Sequence, residues 1–334
     1  MDQRIVIAGA GSIGCFVGGL LAATGRAPIL LCRPRIADEI GSHGLHLTSF
    51  EGWTELVGSP SLRIETDPAR ALAKATLILV TVKSGATAEM RRLIASHAPA
   101  GATVVSLQNG LDNAATLRSA LPGRKVLAGM VPFNVVSLGN GRFHKGTSGG
   151  ILIDEAPDVV DALTVPRLAV AGHDDMRAVL AGKLLLNLNN ALNALSGLTL
   201  YQQLGDRRWR KVLASCQEEA LAVFAAMGVR PWSMGPLPAA MLPRLLRLPT
   251  FLFRLLARSA VTIDRSARSS MWEDLEKRRV TEVDELQGRI VALAAQHGLE
   301  APVNEAVLRA IRAAERAACG SPGVEPVSLR GNGS

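Results

Sequence analysis

Residues 4–14 read Arg4-Ile5-Val6-Ile7-Ala8-Gly9-Ala10-Gly11-Ser12-Ile13-Gly14. The apolar run at the start predicts a β-strand and the apolar pattern over 13–23 predicts a helix, so G-x-G-x-x-G lies between the two. In this context Gly9 allows the tight turn, Gly11 lets the backbone approach a pyrophosphate, and Gly14 lets helix and strand pack closely. The stretch therefore predicts a dinucleotide site whose cofactor-binding residues are Gly9, Gly11, Ser12, Ile13 and Gly14.

The residues after the second predicted strand indicate which dinucleotide binds. In NAD-binding proteins an acidic residue about 20 positions beyond the glycines contacts the ribose 2′-hydroxyl. Here the strand at 28–31 is followed by Arg33 and Arg35, and the first carboxylate is Asp38. A guanidinium group suits a 2′-phosphate in charge and geometry, although a solvated basic turn would have the same composition. We therefore expect NADP(H), with Arg33 as the main 2′-phosphate ligand and Arg35 as a helper.

Composition limits the classes of protein to which this chain can belong. A length of 334 residues predicts two domains, and an apolar share of 48% predicts well-buried cores. The aromatic share is only 4%, which argues against a base-stacking nucleic-acid surface. The net charge of +8 includes arginines scattered among apolar residues, a pattern that favours small anionic ligands. We expect no nucleic-acid or membrane partner, and either a monomer or a homodimer.

The cysteines bear on the cellular compartment. They lie far apart and form no C-x-x-C pair: Cys15, Cys32, Cys216 and Cys319. They predict neither a disulfide framework nor a metal site, and a reducing cytoplasm is the simplest compartment. The N-terminus does not resemble a signal peptide, because the glycine motif begins at once. The apolar stretch 241–263 contains arginines and prolines, so it is not predicted to span a membrane, and a domain-capping role and a dimer contact both stay open for it.

The order of predicted elements indicates an α/β protein, with a doubly wound sheet followed by an all-helical region. Apolar runs predict strands at 76–82, 103–107, 126–130 and 150–153, with a helix at 87–96 and a hairpin at 45–57. Helical patterns then cover 176–195, 209–227, 245–257, 272–297 and 304–319. We therefore predict an NADP-binding domain over 1–172, a helical substrate domain over 173–319, and a disordered tail over 320–334.

Two predicted strand ends carry polar residues at the edge where open α/β sheets bind ligands. Lys83 follows the strand at 76–82, and Asn109-Gly110 follows the strand at 103–107. An ordinary surface lysine and a tight turn would explain these features equally well, since Asn and Gly both adopt positive φ. The residues alone leave both interpretations open.

Several short segments follow one another in a characteristic order over about residues 4–315. Besides the glycine motif they are Val80-Thr81-Val82-Lys83, Gln108-Asn109-Gly110, Gly182-Lys183-Leu184-Leu185-Leu186-Asn187, Ser269-Ser270-Met271, Arg279-Val280-Thr281-Glu282-Val283-Asp284, Gly298-Leu299 and Ala301-Pro302-Val303-Asn304. This ordered set resembles the ketopantoate reductase (2-dehydropantoate 2-reductase) family. The resemblance implies a Rossmann-type domain followed by an all-helical domain. It also implies NADPH-dependent reduction of 2-dehydropantoate, or a closely related 2-oxo acid, to the 2-hydroxy acid.

The resemblance further implies residue roles. Lys183 would bind the carbonyl oxygen and protonate the nascent alkoxide, and Glu282 would contact the substrate hydroxyl and help to order the lysine. The implied substrate-binding residues are Asn109, Asn187, Asn190 and Ser270, with Lys83 and Asn109 also near the cofactor. The family has a second asparagine eight residues after the lysine, where this chain has Ala191. Asn190 is its expected substitute.

Helical spacing supports a polar face around the lysine. Lys183, Asn187 and Asn190 stand at i, i+4 and i+7 and so share one face, beside an apolar face that can pack inward. A solvated surface would show the same spacing. Asparagine is unfavourable inside helices, however, and the helix contains four asparagines, which favours a ligand-binding role for its polar face: Asn187, Asn189, Asn190 and Asn193.

Ordinary structural roles stay open for two of these residues. Ser270-Met271-Trp272-Glu273 matches the S-x-x-E capping box, so Ser270 is expected to cap a helix whether or not it binds substrate. Glu282 has other carboxylates close by in sequence and could be an ordinary surface acid.

Two other functions stay open beside the reductase. One is a 3-hydroxyacid-type dehydrogenase, which would be favoured if Glu282 lay far from Lys183 in the fold. The other is a non-catalytic NADP(H)-sensing protein, which would bind the cofactor tightly and turn over no 2-oxo acid.

Overall fold

Apolar runs without alternation form the central strands of the structure, a computed structural model that describes residues 3–257 and 267–329. Ile5–Ala8 and Leu77–Val80 are buried at every position, as expected of parallel strands that helices cover on both faces. The chain divides into two units, Met1–Met176 and Arg177–Ser334, termed below the N-terminal unit and the helical unit.

The N-terminal unit alternates strands and helices. Its elements in chain order are β1 (Ile5–Ala8), α1 (Ser12–Ala23), β2 (Ile29–Leu31), α2 (Pro34–His43), β3 (Leu45–Ser49), β4 (Thr54–Val57), β5 (Arg63–Glu65), α3 (Pro68–Leu72), β6 (Leu77–Val80), α4 (Thr87–His97), β7 (Thr103–Ser106), α5 (Asn113–Ala120), β8 (Val126–Met130), β9 (Val135–Gly139), β10 (Arg142–Lys145), β11 (Ile151–Asp154), α6 (Pro157–Leu163) and β12 (Val170–His173). Single 3₁₀ turns lie at Ser59–Ser61 and Ser84–Ala86.

The main sheet has the strand order β12-β11-β8-β7-β6-β1-β2-β5. The strands from β8 to β5 run parallel, whereas β11 is antiparallel to β8 and parallel to β12. The order reverses at β1, because β2 and β5 lie on one side of it and β6 on the other. Ligands of doubly wound sheets bind at such a reversal. The predicted α/β doubly wound fold is confirmed.

The register of the central strands aligns their carboxyl ends. Ala8 lies opposite both Leu31 and Val80, and Val80 lies opposite Ser106. The segments that follow β1, β2, β6 and β7 therefore leave the sheet at the same edge, which brings the glycine motif together with the predicted polar strand ends.

A second sheet has the order β4-β3-β10-β9. The hairpin predicted over 45–57 is confirmed, since Leu45 pairs with Val57 in an antiparallel register and Gly52 in its turn has a φ of +85°. β10 then adds parallel to β3, and β9 adds antiparallel to β10. The sequence does not predict β9, because this strand is half-buried or exposed along its length and lacks a clear apolar alternation.

The helical unit contains helices and turns without a strand over its described residues, as predicted. The helices are α7 (Met176–Ser196), α8 (Leu200–Gly205), α9 (Arg207–Ala226), α10 (Leu242–Arg247), α11 (Thr250–Ala257), α12 (Ser270–Glu276), α13 (Gln287–Gln296) and α14 (Pro302–Ala317), with 3₁₀ turns at Ala239–Met241, Val283–Glu285 and Pro326–Leu329. Leu185, Leu188 and Leu192 of α7 are fully buried. α7 is therefore a core helix of this unit.

Two predicted helices are interrupted in the structure. The pattern over 245–257 is divided between α10 and α11 at Pro249, because proline lacks the N–H group that would continue the helix. The pattern over 272–297 is broken after α12, where Arg278 takes a left-handed φ of +53°. The sequence also misses α8, which is only six residues long.

The C-terminal segment differs from expectation as well. Residues 321–329 fall in the predicted disordered tail but are held against the end of α7. Ser321 Oγ donates to Ala194 O at 2.6 Å, and Val324 N donates to Leu195 O at 2.9 Å. These contacts use main-chain carbonyls, so the polar composition of the tail does not reveal them. Residues 330–334 lie outside the described residues. The division between the two units, after Met176, is four residues from the boundary expected near residue 172.

Candidate active site

The glycine motif forms the turn between β1 and α1 that the sequence predicts. Gly9 N and Ala10 N donate hydrogen bonds to Leu31 O at 3.1 and 2.9 Å, which fixes the turn against the end of β2. Gly9 has a φ of +105°, and a Cβ atom there would lie 2.3 Å from Val82 Cγ1 and 2.8 Å from Val82 N. The fold itself therefore requires glycine at this position.

Gly14 and Gly11 serve different purposes. A Cβ atom at Gly14 would lie 2.7 Å from Gly9 O and 2.8 Å from Thr81 Oγ1, so close packing of helix and strand excludes a side chain. A Cβ atom at Gly11 would meet nothing nearer than Gly9 O at 4.0 Å. The described residues thus leave open the space beside Gly11, where a pyrophosphate would approach the backbone.

The first turn of α1 adds hydrogen-bond donors to this space. Gly11 is the N-cap, and within the described residues no side chain caps the helix and no acidic residue occurs in its first turn. The N–H groups of Ser12 and Ile13 can therefore meet an anion at the positive end of the helix dipole. Open space and uncapped donors together fit the phosphates of a dinucleotide.

Arg33 lies where the sequence predicts the 2′-phosphate ligand. It is the N-cap of α2, directly beyond the end of β2, and it is exposed. Arg35, the predicted helper, pairs with Glu39 at 3.4 Å, so part of its charge is compensated. A strand-end carboxylate does exist at Glu65 on β5, but its Oε1 accepts two backbone N–H groups of the following turn. Arg33 therefore suits a phosphate at this edge in both charge and position.

Gln108 joins the two strand-end segments. Its Nε2 donates to Thr87 Oγ1 at 2.7 Å and to Val82 O at 3.1 Å, and the side chain is buried. The segment after β7 is thereby bound to the segment after β6. Gln108, which belongs to the family motif, has a structural role here.

Asn109 is fixed through its main chain. Ser84 Oγ donates to Asn109 O at 2.9 Å, and the Asn113 side-chain amide donates to the same oxygen. Lys83, which is exposed, leads into the segment that holds Ser84, so the structure brings Lys83 and Asn109 to one edge of the sheet. The sequence does not predict the roles of Ser84, Thr87 and Asn113, because single hydroxyl and amide residues carry no periodic signal.

Lys183 and Asn187 lie one turn apart on α7, as predicted. Lys183 is half-buried and Asn187 is buried. Burial lowers the pKa of the Lys183 amine to about 8. Asn190, at the third position of the predicted face, is half-buried. Ala191 is fully buried, so the position at which the family has its second asparagine belongs to the core of this chain.

Two of the four asparagines on α7, Asn189 and Asn193, have structural partners. Gln203 Nε2 donates to Asn189 Oδ1 at 2.8 Å. Asn193 Nδ2 donates to Gln203 Oε1 at 3.2 Å and to Leu198 O at 3.0 Å. Asn189 and Asn193 therefore tie α8 to α7, and Asn187 and Asn190 remain the candidates for ligand binding.

The N-cap of α12 is Ser269, so the predicted capping role of Ser270 is wrong. Ser269 Oγ accepts a hydrogen bond from Trp272 N at 3.1 Å and donates one to Asn190 O at 2.9 Å, while Ser269 N donates to Asn193 Oδ1 at 2.8 Å. These bonds to α7 select the first serine as the cap. Ser270 is the first helical residue and is exposed beside the Asn190 region of α7.

Glu282 lies at the start of the 3₁₀ turn that leads to α13, and it is half-buried. Further along the same segment, Gln287 Nε2 donates to Leu188 O at 2.8 Å. The segment that carries Glu282 is therefore held against α7 in the region that follows Lys183.

Residues 3–257 and 267–329 contain neither a candidate metal cluster nor a candidate membrane helix. Within these ranges no group of three or more His, Cys, Asp or Glu side chains could hold a metal ion. No helix in the same part of the chain is long and apolar enough to cross a membrane. Cys15, Cys32 and Cys216 are buried free thiols, and burial raises the pKa of Cys32 to about 11.

Two protein-family models match this chain, one in each of its two parts. The model described as "Ketopantoate reductase PanE/ApbA" matches residues 5–158, and the model described as "Ketopantoate reductase PanE/ApbA C terminal" matches residues 175–315. The chain belongs to the ketopantoate reductase family. It is thus an oxidoreductase with a Rossmann-type domain, from a family of pyridine-nucleotide-dependent dehydrogenases.

Individual relatives match different shares of this ketopantoate reductase family member. A 2-dehydropantoate 2-reductase of Halobacterium salinarum is 29% identical over 324 residues, which cover 94% of this chain and 99% of the relative. A glycerol-3-phosphate dehydrogenase (NAD(P)+) of Xanthomonas euvesicatoria is 31% identical over 240 residues, or 69% of this chain and 68% of the relative.

Solved structures show the same fold. The crystal structure of a PanE/ApbA family ketopantoate reductase from Ralstonia eutropha JMP134 has a TM-score of 0.81 at 29% identity, covering 95% of this chain and 99% of the other. A ternary structure of D-mandelate dehydrogenase with NADH and anilino(oxo)acetate has a TM-score of 0.78 with the same coverage. Its identity is 19%, so this second likeness concerns the fold alone.

Proposed function

We propose that this protein reduces 2-dehydropantoate, or a closely related 2-oxo acid, with NADPH, and that Lys183 donates the proton to the carbonyl oxygen. The observation that carries the proposal is Lys183 itself, a half-buried lysine on α7 whose pKa is lowered to about 8 by burial. A general acid is most effective when its pKa lies near the working pH, because it is then protonated and can still release its proton readily.

The cofactor would be held by the N-terminal unit. The glycine turn and the N–H groups of Ser12 and Ile13 would bind the pyrophosphate, and Arg33 would bind the 2′-phosphate. Lys83 and Asn109, at the same sheet edge, would bind the ribose and nicotinamide end. Bound NADPH supplies the hydride. The preference for NADPH over NADH rests on Arg33, which occupies the position where NAD-binding proteins have a carboxylate.

The substrate would be held by residues of the helical unit. Hydride addition to a ketone leaves negative charge on the oxygen, and the Lys183 ammonium would stabilise this charge and then transfer its proton. Asn187 and Asn190 would orient the substrate by hydrogen bonds from the same face of α7. Ser270 would contact the carboxylate, and Glu282 would contact the hydroxyl group and order the lysine.

The substrate is tested by following NADPH oxidation with ketopantoate, a panel of other 2-oxo acids and a 3-oxo acid, beside an NADH control. Rapid turnover of ketopantoate supports the proposal in full. Faster turnover of another 2-oxo acid keeps the mechanism and changes the substrate. A preference for the 3-oxo acid contradicts the proposal. Tight NADPH binding with no turnover of any compound would favour the sensing function instead.

Glycerol-3-phosphate dehydrogenation is the second candidate function, because the Xanthomonas relative that bears this name is 31% identical to this chain. Glycerol 3-phosphate with NAD+ or NADP+ therefore belongs in the same panel. Turnover of this compound above that of every 2-oxo acid would move the chain to the second activity.

The role of Lys183 is tested by substitution. Lys183→Ala should lower turnover by about 10²–10⁴-fold if the lysine is the general acid. Lys211→Ala is the matched control, because Lys211 is also a half-buried lysine of the helical unit. Activity of Lys183→Ala within a few-fold of that of the control would refute the assignment.

Compartment and assembly complete the proposal. Widely spaced cysteines, three of them buried thiols, suit a reducing cytoplasm. We propose a monomer or a homodimer, which sedimentation velocity distinguishes.

A further inference from the structure

Acidic residues are missing from a long stretch of the helical unit. Between Glu219 and Asp264 the sequence has no Asp or Glu, whereas it has the arginines Arg230, Arg244, Arg247, Arg254 and Arg258. The described part of this stretch includes α10 and α11. Arg247 pairs with Glu218, whereas the other arginines of this segment have no carboxylate near them in sequence, and such a positively charged segment attracts anionic partners.

The outer face of α11 is apolar and exposed. Phe251, Leu255 and Leu256 have exposed fractions of 71%, 66% and 55%. Phe251 and Leu255 stand one turn apart, and Arg254, also exposed, lies on the same side of the helix. Exposed Phe and Leu side chains beside arginine are the composition of helices that lie in the surface of a membrane.

Arg210 lies beneath this helix and carries a charge that no carboxylate balances. It is fully buried, and its Nε and Nη2 atoms donate to Leu246 O at 3.3 Å and Leu248 O at 2.9 Å. Its guanidinium group lies 4.3 Å from the centre of the Phe253 ring. Its Nη1 atom has no hydrogen-bond partner, and no carboxylate of the described residues forms an ion pair with it.

Arg207 and Arg254, which are both exposed, add positive charge close to Arg210. Burial, together with the charges of Arg207 and Arg254, lowers the pKa of Arg210. Asp206 opposes this effect, but its carboxylate is paired with Arg208 at 2.8 Å. The area as a whole therefore combines an excess of positive charge with an exposed apolar helix face. We term it the α11 surface: Arg207, Phe251, Arg254, Leu255 and Leu256, with the buried Arg210 beneath it.

We propose that the α11 surface docks on an anionic phospholipid bilayer, with Phe251 and Leu255 at the boundary of the acyl chains and the exposed Arg207 and Arg254 at the phosphates. A second copy of this chain fits less well. A two-fold contact would bring the arginines of both copies together without carboxylates between them. The bilayer supplies both the negative charge and the apolar layer. This peripheral contact departs from the expectation of no membrane partner.

Vesicle co-sedimentation of the full chain tests the proposal. Binding is expected to mixed phosphatidylcholine–phosphatidylglycerol vesicles, with little to pure phosphatidylcholine, and it should fall when salt is raised. Arg254→Ala should weaken binding about five-fold, because one arginine near an anionic surface contributes about that factor. Phe251→Ser combined with Leu255→Ser should abolish binding. Leu56→Ser is the control, since Leu56 is 70% exposed on β4, in the N-terminal unit.

Three outcomes would overturn the proposal. Equal binding of the wild type and the double variant to mixed vesicles would show that the α11 surface is not involved. Stabilisation by inorganic phosphate without vesicle binding would indicate a site for a free anion. A dimer that the double variant converts into a monomer, again without vesicle binding, would indicate a second copy as the partner. Circular dichroism melts and NADPH oxidation verify that each variant is folded.

Discussion

Gln287 on α13 donates a hydrogen bond from its Nε2 atom to the main-chain oxygen of Leu188 on α7, 2.8 Å away. The side chain is fully buried, and its Oε1 atom has no partner among the described residues. Gln217 on α9 makes the same kind of bond to Leu185 O at 3.0 Å, again with an unpaired Oε1. Two helices are thus tied to the part of α7 that follows Lys183, and each tie buries an unpaired amide oxygen, which is unfavourable.

The unpaired oxygen of Gln287 predicts that two substitutions there change the free energy of unfolding to very different extents. Gln287→Met removes one hydrogen bond but also removes the unpaired oxygen, so the free energy of unfolding should change by less than about 1 kcal/mol. Gln287→Glu keeps the shape, loses the donor and buries a carboxyl group, and it should cost about 3 kcal/mol. Urea unfolding measures both. A larger loss of stability in the methionine variant than in the glutamate variant would show that the hydrogen bond matters more than the unpaired oxygen.

The glycine turn predicts a separation of stability from cofactor binding. Gly11→Ala places its Cβ atom in open space, so the variant should keep the melting temperature of the wild type and bind NADPH more weakly. Gly14→Ala is the matched comparison, because its Cβ atom would lie within 3 Å of Gly9 O and Thr81 Oγ1. This second variant should lose about 1–3 kcal/mol of stability. Wild-type NADPH affinity in Gly11→Ala would show that the pyrophosphate lies elsewhere.

Arg33 predicts the cofactor preference. Arg33→Asp should raise the KM for NADPH by about 10–100-fold, since a hydrogen bond between charged groups contributes about 1.5–3 kcal/mol, and it should change the KM for NADH far less. Arg35→Ala should have a smaller effect, because Arg35 already pairs with Glu39. Steady-state kinetics with both cofactors measures the ratio. If Arg33→Asp leaves the ratio of the KM values for NADPH and NADH unchanged, Arg33 does not contact the cofactor.

Local patterns predicted the fold well, whereas the choice between equivalent residues depended on tertiary contacts. The strand–glycine–helix motif at Gly9 is predictable because its turn and its packing involve neighbours in sequence. Either Ser269 or Ser270 could cap α12, and hydrogen bonds to α7 select the first. Asparagine propensity marked Asn193 as unusual, but its partner Gln203 becomes apparent only when α8 folds back on α7.

The low pKa of Lys183 predicts how activity depends on pH. The proton donor must be protonated, so kcat/KM for reduction should be constant below pH 8 and fall about ten-fold per pH unit above it. The pH profile of kcat/KM with NADPH and the preferred 2-oxo acid measures this. A profile that stays flat through the range from about 8 to 10.5 would mean that another group donates the proton.

The lowered pKa of Lys183 also predicts that stability rises with pH, whereas activity falls. Between about pH 8 and the ordinary lysine value of 10.5, the unfolded chain binds the Lys183 proton and the folded chain releases it. The unfolded state then carries more protons, so the contribution of Lys183 to the free energy of unfolding rises with pH across this window. Lys183→Met cannot titrate. Its stability relative to the wild type should therefore be greatest below pH 8 and decline towards pH 10.5, as measured by urea unfolding at matched ionic strength. A difference independent of pH would show that Lys183 titrates alike in the folded and unfolded chains.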